Sequence, residues 1–337
     1  MNILASMKTY GQKRTGEHRK IKKESEEMYM NMDTFCETVI NVLTQELTGC
    51  SFTKNEVMKN NGVIMHGLMI QKDEKTSVEP QFYLDVFYEN YKNGRDLNEI
   101  AKEIAVLYRE QENKKIHQFD VAWMMDFENV KDIISLRLIN LEKNKELLQD
   151  MPYRKFLDLA LVYCLQMDME DDVNGYVRVN NHLMERWGVD EERLYEQAFI
   201  NTPKQNKGIV IPLEAIFSEL LQDDINFDNI YESDIFDMVF KESLFYMCSN
   251  KSKSYGAVAV LYPKLLEKMA EQIGDLYVIP SSVHEVLLIK ASQDTSPKEL
   301  LQMVREVNET EVSMEEFLSD NIYFYDKKEQ NLKLITE

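Results

Sequence analysis

Residues 275–290, DLYVIPSSVHEVLLIK, decide the fold, because two short apolar runs flank a Pro-Ser-Ser group. Leucine, valine, isoleucine and tyrosine in short runs are typical of buried strands, whereas proline and serine favour turns. The segment therefore predicts two neighbouring strands of the core joined by a tight turn.

The same segment contains the residue types of a hydrolase site, namely Ser281, Ser282, His284 and Glu285. A nucleophilic serine needs a base within hydrogen-bond reach, a group that orients the base, and oxyanion donors. No glycine follows Gly274, and no GxSxG motif is present. Strand alternation places Ser282 and His284 on one face and Glu285 on the other, so His284 and Glu285 cannot act as a pair within this strand. We therefore favour a structural turn, and Ser281, Ser282 and His284 are secondary catalytic candidates that need a carboxylate from elsewhere.

Hydrophobic periodicity predicts further helices and strands on both sides of this segment. Helices are predicted over 34–47, from Pro80, from a capping box of Asp96 and Glu99, over 181–187, 190–200, 212–222 and 257–273, and from capping boxes at Ser296 and Ser313. Strands are predicted over 51–58 and 63–71 around an Asn-Gly turn, 119–123, 133–141, 155–167 and 243–248, and in a hairpin over 321–335. The order lacks the regular strand–helix–strand rhythm of a doubly wound sheet. It predicts an α+β fold of mixed helices and mainly antiparallel hairpin strands in two packed halves.

Three segments are expected along the chain. Residues 1–31 form a basic extension that is either disordered or not translated, 32–204 form an N-terminal α+β half, and 205–337 form a C-terminal α+β half. The boundary is placed in NTPKQNKG, residues 201–208, because asparagine, proline and glycine there are typical of a linker.

Charge and cysteine usage restrict the partners and the compartment. The formal net charge is −20, and residues 1–24 carry +5, so the body of the chain is strongly acidic. An acidic body repels phosphate backbones, so we expect no direct nucleic-acid binding by it. Apolar runs are shorter than the roughly 20 residues that a bilayer requires, so we expect no membrane partner. The four cysteines are scattered, which favours a reduced cytoplasmic protein without structural zinc.

Other motifs for chemistry give weaker signals. The five histidines show no HExxH or other paired spacing, so no metal site is expected. Asp120 and Asp126 flank VAWMM and are candidates for general acid–base work, although Asp126 also stands where a helix N-cap would. Phosphate-binding glycine motifs are absent, so we expect no nucleotide cofactor.

Several segments together resemble a known family. NNGVIMHGLMI, YLDVFYENY, FLDLALVYCL, LMERWGVDEERLYEQA, LYVIPSSVHEVLLI and EEFLSDNIYFYD occur in a fixed order. They resemble an uncharacterised bacterial domain-of-unknown-function family of gut anaerobes over about residues 32–337. The resemblance implies an intracellular bacterial protein and implies no activity or ligand.

Composition is the remaining guide to function. Nineteen methionines and seventeen tyrosines are many, and they either fill the core or form a face that binds another protein. We expect a non-enzymatic protein-binding or adaptor protein of the bacterial cytoplasm. The alternatives are a hydrolase-like enzyme with a site near His284 and Ser282, and an acidic mimic of nucleic acid.

Overall fold

The computed structural model describes residues 29–72, 81–113, 121–168, 174–219, 243–292 and 295–336. Helices alternate with antiparallel sheets along these residues, which confirms the predicted α+β class. Contacts divide the chain into one compact unit of residues 1–59 and 64–121 and a second of 60–63 and 122–337. The boundary predicted between 204 and 205 lies inside the second unit.

The first unit contains a three-stranded antiparallel sheet and helices. Its elements are α1 (Met32–Glu46), β1 (Ser51–Met58), β2 (Ile64–Gln71), β3 (Gln81–Tyr83), α2 (Leu84–Lys92) and α3 (Leu97–Asn113). The strands follow the order β1-β2-β3. Phe35, Val39 and Leu43 recur every four residues on α1 and are buried together with Ile100 and Ile104 of α3. This confirms the helices that hydrophobic periodicity predicted here.

Two predictions for the first unit were wrong at helix starts. The helix predicted over 34–47 begins earlier, at Met32, because the Asn31 side chain caps it by accepting a hydrogen bond from the Thr34 N–H at 2.9 Å. The helix predicted from Pro80 begins only at Leu84, since the preceding residues pair with β2 as β3. Sheet pairing between distant segments thus overrides the local proline signal. Asp96 caps α3 as predicted.

The second unit contains two sheets and a set of helices. The helices are α4 (Val121–Met124), α5 (Phe127–Val130), α6 (Asn181–Trp187), α7 (Glu191–Gln205), α8 (Leu213–Glu219), α9 (Leu265–Ile273) and α10 (Pro297–Glu311). The strands of the four-stranded sheet are β4 (Ile134–Asn140), β5 (Tyr153–Phe156), β6 (Leu159–Asp168) and β7 (Asn174–Arg178). The strands of the six-stranded sheet are β8 (Gly208–Pro212), β9 (Phe245–Asn250), β10 (Leu276–Ile279), β11 (Val286–Lys290), β12 (Ile322–Asp326) and β13 (Asn331–Ile335).

Strand β6 is the centre of the four-stranded sheet. Strand β4 pairs along one edge of β6, while β5 and β7 pair with opposite ends of its other edge. Tyr163 and Arg154 both hydrogen-bond Glu191 of α7, so the face that carries them packs on that helix. Alternation places Arg137 and Cys164 on the opposite face.

The six-stranded sheet contains the segment that decides the fold. Its order is β13-β12-β10-β11-β9-β8, and all its pairs are antiparallel. Strands β10 and β11 confirm the core pair predicted over 275–290, and β12 with β13 confirms the C-terminal hairpin. Leu276, Val278 and Leu288 are fully buried in this sheet.

Asp158 connects the two sheets of the second unit. It lies in the turn between β5 and β6, next to Leu157, whose φ of +54° is rare outside glycine. Its carboxylate accepts hydrogen bonds from the Tyr323 hydroxyl at 2.7 Å and the Asn321 amide at 3.0 Å, and also from the Ser319 hydroxyl. Since Tyr323 and Ser319 are buried, this carboxylate satisfies donors that have no access to water.

A buried asparagine cluster positions the turn at 313–317. The Asn144 amide donates to the side-chain oxygens of Asn60 and Asn61 at 3.0 and 2.8 Å. Asn61 has a φ of +59°, as predicted for the Asn-Gly turn, and its amide donates to the Phe317 carbonyl at 2.6 Å. These bonds hold the segment that carries Glu316.

Three local predictions for the second unit were wrong. The strand predicted over 119–123 is helical from Val121, since a short apolar run does not distinguish strand from helix. The helix predicted over 257–273 is a 3-10 segment, Gly256–Leu261, followed by α9, because Pro263 cannot donate a helical hydrogen bond. Ser313 caps only one turn, accepting from the Glu316 N–H at 3.3 Å.

The helix predicted over 190–200 is present and extends through Pro203 to Gln205.

Two general features concern the membrane and the thiols. Within the described ranges, no helix is long and apolar enough to cross a bilayer. All four cysteines are free thiols, and Cys36, Cys164 and Cys248 are buried.

Candidate functional site

The predicted serine candidates form a closed hydrogen-bonded turn between β10 and β11. The Ser282 hydroxyl donates to the Glu285 carboxylate at 2.7 Å, and the Ser281 hydroxyl lies 3.4 Å from the same oxygen. The His284 N–H donates to the Ser282 oxygen at 3.0 Å. Both hydroxyls are therefore directed at Glu285 and not at an imidazole base.

The His284 ring is engaged on both nitrogens. Its Nδ1 accepts from the Tyr255 N–H at 3.2 Å, so the neutral ring carries its proton on Nε2. That nitrogen lies 3.6 Å from a carboxylate oxygen of Glu316. Residues 281–285 are not a strand, so the predicted placement of His284 and Glu285 on opposite faces of a strand was wrong. The His284 ring does meet a carboxylate from elsewhere in the fold, but among the described residues it hydrogen-bonds no serine hydroxyl.

Of the two aspartate candidates, only Asp126 belongs to the described residues. Asp120 lies outside the described residues. The Asp126 side chain accepts from the Glu128 N–H at 3.0 Å and caps α5, which confirms its predicted structural role. Among the described residues, no group of three or more His, Cys, Asp or Glu side chains is arranged to hold a metal ion.

A different site lies on the face of the four-stranded sheet opposite to α7. Strand register places Arg137 of β4 opposite Val162 of β6, and Arg178 of β7 opposite Cys164. Directly paired residues point to the same face, so both guanidinium groups project from the face opposite to α7. They line a cavity of about 30 Å³, which we call the Arg137 pocket. Its polar lining residues are Asn60, Arg137, Cys164, Tyr176, Arg178 and Tyr255.

Two tyrosine rings hold the guanidinium of Arg137. Its central carbon lies 3.7 Å from the ring centroids of both Tyr176 and Tyr255. The two ring planes are inclined by 68°, so the guanidinium sits in the corner between them. The tyrosine hydroxyls are 3.3 Å apart. Cation–π contacts of this kind contribute about 0.5–2 kcal/mol each, depending on desolvation.

The backbone at Tyr255 adopts an unusual conformation, which positions the tyrosine ring against Arg137. Tyr255 has a φ of +49°, an unfavourable conformation for a residue with a side chain. It is stabilised by the bond to His284 Nδ1 and by ring contact with His284 at 5.5 Å between centroids. The next residue, Gly256, is packed so closely that a Cβ atom would lie 2.6 Å from the His284 carbonyl oxygen. The turn at 281–285 thus supports the Arg137 pocket.

The charged residues that line the pocket are both arginines, Arg137 and Arg178. Burial raises the pKa of the Cys164 thiol, and the nearby Arg137 and Arg178 act in the opposite direction. Burial also raises the pKa of Tyr255, with the hydroxyl of Tyr176 acting in the same direction. The Tyr255 hydroxyl is therefore protonated at neutral pH. Within the described part of the chain, Arg137 is not paired with any carboxylate.

A second depression lies near α5 and α6. It has a volume of about 410 Å³ and is lined by Asp126 and Glu128 as well as by Arg186 and Arg193. Its wide opening and mixed charges make it less selective for one kind of ligand than the Arg137 pocket.

The sequence-based prediction missed Arg137, Tyr176 and Tyr255. One local signal was available, because Arg137 is the single charged residue in the apolar strand ISLRLIN. A charge at such a position is costly to bury unless the fold or a ligand compensates it. Its tyrosine neighbours come from β7 and from the segment before the 3-10 turn, and no local pattern joins these segments.

Together, these features define an α+β protein of antiparallel sheets with a small cationic and aromatic pocket. The chain belongs to DUF5688, a family of unknown function, whose model matches residues 32–327. The resemblance to a family without known activity is thus confirmed, while an origin in gut anaerobes stays a prediction. No curated protein and no solved structure matches the chain.

Proposed function

We propose that this protein is a non-enzymatic binding protein of the bacterial cytoplasm that recognises another protein through the Arg137 pocket. The observation that supports this role is the arginine held between Tyr176 and Tyr255. Arginine and tyrosine are among the residues that contribute most to protein interfaces. Tyr176 is 39% exposed, so its ring is available to a partner while it also contacts Arg137.

The chemistry around the pocket favours binding over catalysis. Cys164 is buried and its pKa is raised by that burial, so the thiol is a poor nucleophile. Ser282 donates to Glu285, and His284 uses its Nδ1 to accept from a backbone N–H. The hydrolase alternative therefore gains no support from this turn. The nucleic-acid mimic also stays a prediction, because the acidic stretch at 223–237 lies outside the described residues.

The cytoplasmic part of the proposal is supported by the thiols. Four cysteines without a disulfide are typical of a reducing compartment.

Affinity capture with matched variants tests the proposal. Wild-type protein, Tyr176→Ala and Ile200→Ala are used as baits in lysate of the cells that make the protein. Ile200 is 51% exposed and lies on α7, which packs on the other face of the sheet. We expect one protein to be captured by wild type and by Ile200→Ala, and to be lost with Tyr176→Ala. A partner set that is empty, or that is the same for all three baits, would refute the proposal.

A further inference from the structure

We infer that the Arg137 pocket binds a carboxylate, and that the ligand is the C-terminal carboxylate of a protein chain ending in an apolar residue. This inference rests on the proposed function, because it names the part of the partner that the pocket recognises. It follows from the charge, the size and the walls of the pocket.

The positive charge of Arg137 favours an anionic ligand in the pocket. Arg137 lines it, on a chain whose formal net charge is −20. In so acidic a protein an internal carboxylate partner for Arg137 is easy to supply, yet no described residue provides one. The tyrosine rings lie 3.7 Å from the central carbon of the guanidinium, and among the described residues no hydrogen-bond acceptor is paired with its N–H groups. Those donors match the two oxygens of a carboxylate.

The size of the pocket admits a carboxylate group. Its volume of about 30 Å³ is room for roughly two water molecules, since each needs about 10–15 Å³. The two oxygens of a carboxylate fit this space.

The hydroxyl groups of the tyrosines add neutral donors. The Tyr176 and Tyr255 oxygens lie 3.3 Å apart beside Arg137. Since the Tyr255 hydroxyl is protonated at neutral pH, it donates to an anion and adds no opposing charge.

The walls of the pocket favour a chain terminus over an internal acidic side chain. Ile139, Met151 and Val162 line the pocket and belong to one apolar cluster with Leu148 and Ala160. The last residue of a protein carries a carboxylate and a side chain on the same carbon atom. It therefore presents an anion to Arg137 and an apolar group to this wall at the same time. An internal glutamate presents only the carboxylate.

Calorimetric titration with short peptides tests the inference. The probe is acetyl-Gly-Gly-Leu with a free carboxylate, compared with its C-terminal amide, with acetyl-Gly-Glu-Gly-amide and with inorganic phosphate. We expect the free acid to bind, and the amide, the glutamate peptide and phosphate each to bind at least about tenfold more weakly. The amide lacks the negative charge, and the glutamate peptide and phosphate lack the apolar group beside it.

Variants of the full chain connect binding to the pocket. Arg137→Lys keeps the charge and loses the planar fork, so we expect at least about tenfold weaker binding of the free acid. Tyr153→Ala is the control, because Tyr153 is 42% exposed and lies on the same face outside the pocket. Tryptophan fluorescence during thermal unfolding shows whether each variant is folded. If Arg137→Lys does not fold, Tyr176→Phe replaces it and is expected to weaken binding.

Each outcome has a defined meaning. Equal binding of the acid and the amide, or equal binding by wild type and the pocket variant, would overturn the inference. Tighter binding of phosphate would overturn the choice of a carboxylate, and equal binding of the glutamate peptide would overturn the choice of a chain terminus. If no peptide binds while capture still depends on Tyr176, the inference fails and the proposed function stands. If capture also fails, the proposed function is wrong as well.

Discussion

Gly256 provides a sharp test of how the turn at 281–285 supports the pocket. A Cβ atom at this position would lie 2.1 Å from the Ser249 hydroxyl oxygen, and 2.6 Å from both the Asn250 nitrogen and the His284 carbonyl oxygen. The latter two are backbone atoms of β9 and of the turn, so a side-chain rotation does not relieve the overlap. Gly256→Ala must separate the 3-10 segment from β9 or from the turn.

The expected cost follows from two contributions. Overpacking of a tight site costs about 1–3 kcal/mol. The Ser249 hydroxyl donates to the His284 carbonyl at 2.7 Å, and loss of that bond adds about 0.5–1.5 kcal/mol. We therefore expect Gly256→Ala to lower the free energy of unfolding by about 2–4 kcal/mol.

Urea unfolding followed by tryptophan fluorescence measures this cost. Trp123 and Trp187 are the two tryptophans of the chain, and both belong to the second unit, so the signal reports on the unit that contains Gly256. Gly188→Ala is the control, because Gly188 has a φ of +65° and a Cβ atom added there would meet no other group within 4 Å. Backbone strain alone should cost about 1–2 kcal/mol there. A Gly256→Ala protein as stable as wild type, or more stable than Gly188→Ala, would refute the reasoning.

Two further predictions concern buried polar groups of the second unit. Asp158→Asn should lower the free energy of unfolding by about 2–4 kcal/mol, because an amide nitrogen then faces hydroxyl and amide donors. The exposed Asp150→Asn is the control and should change the free energy of unfolding little. Equal urea midpoints for the two variants would contradict this prediction. Burial raises the pKa of Tyr246 to about 12, and burial is also the main cause of the raised pKa values of Tyr163 and Tyr323. Below the unfolded pKa of about 10 both states are protonated, so the stability is fully present. Above it the unfolded state releases protons first, so stability should fall with rising pH by about 1.4 kcal/mol per pH unit per tyrosine. Urea midpoints that stay constant or rise from about pH 9 to pH 11 would exclude this linkage.

Local signals predicted much of the fold. The apolar runs around Pro280 predicted β10 and β11, and side-chain caps marked the starts of helices at Asp96 and Ser296. These features depend on residues a few positions apart, so the sequence displays them directly. The alternation argument was extended too far, because Ser281 to Glu285 bond to one another as a turn.

The candidate site depends on distant segments, and this explains why it was missed. Arg137 stands out as a charge in an apolar strand, but its meaning depends on Tyr176 from β7 and Tyr255 from the segment beside β9. Strand pairing and the turn at His284 bring these residues together. No spacing within the sequence predicts that these three residues lie close together.

A crystal structure of the protein with acetyl-Gly-Gly-Leu tests the central claim most directly. We predict that both oxygens of the peptide carboxylate lie within about 3.2 Å of Arg137 guanidinium nitrogens, with the leucine side chain against Ile139 and Val162. A peptide carboxylate bound elsewhere, or an Arg137 guanidinium paired with a carboxylate of its own chain, would contradict the claim.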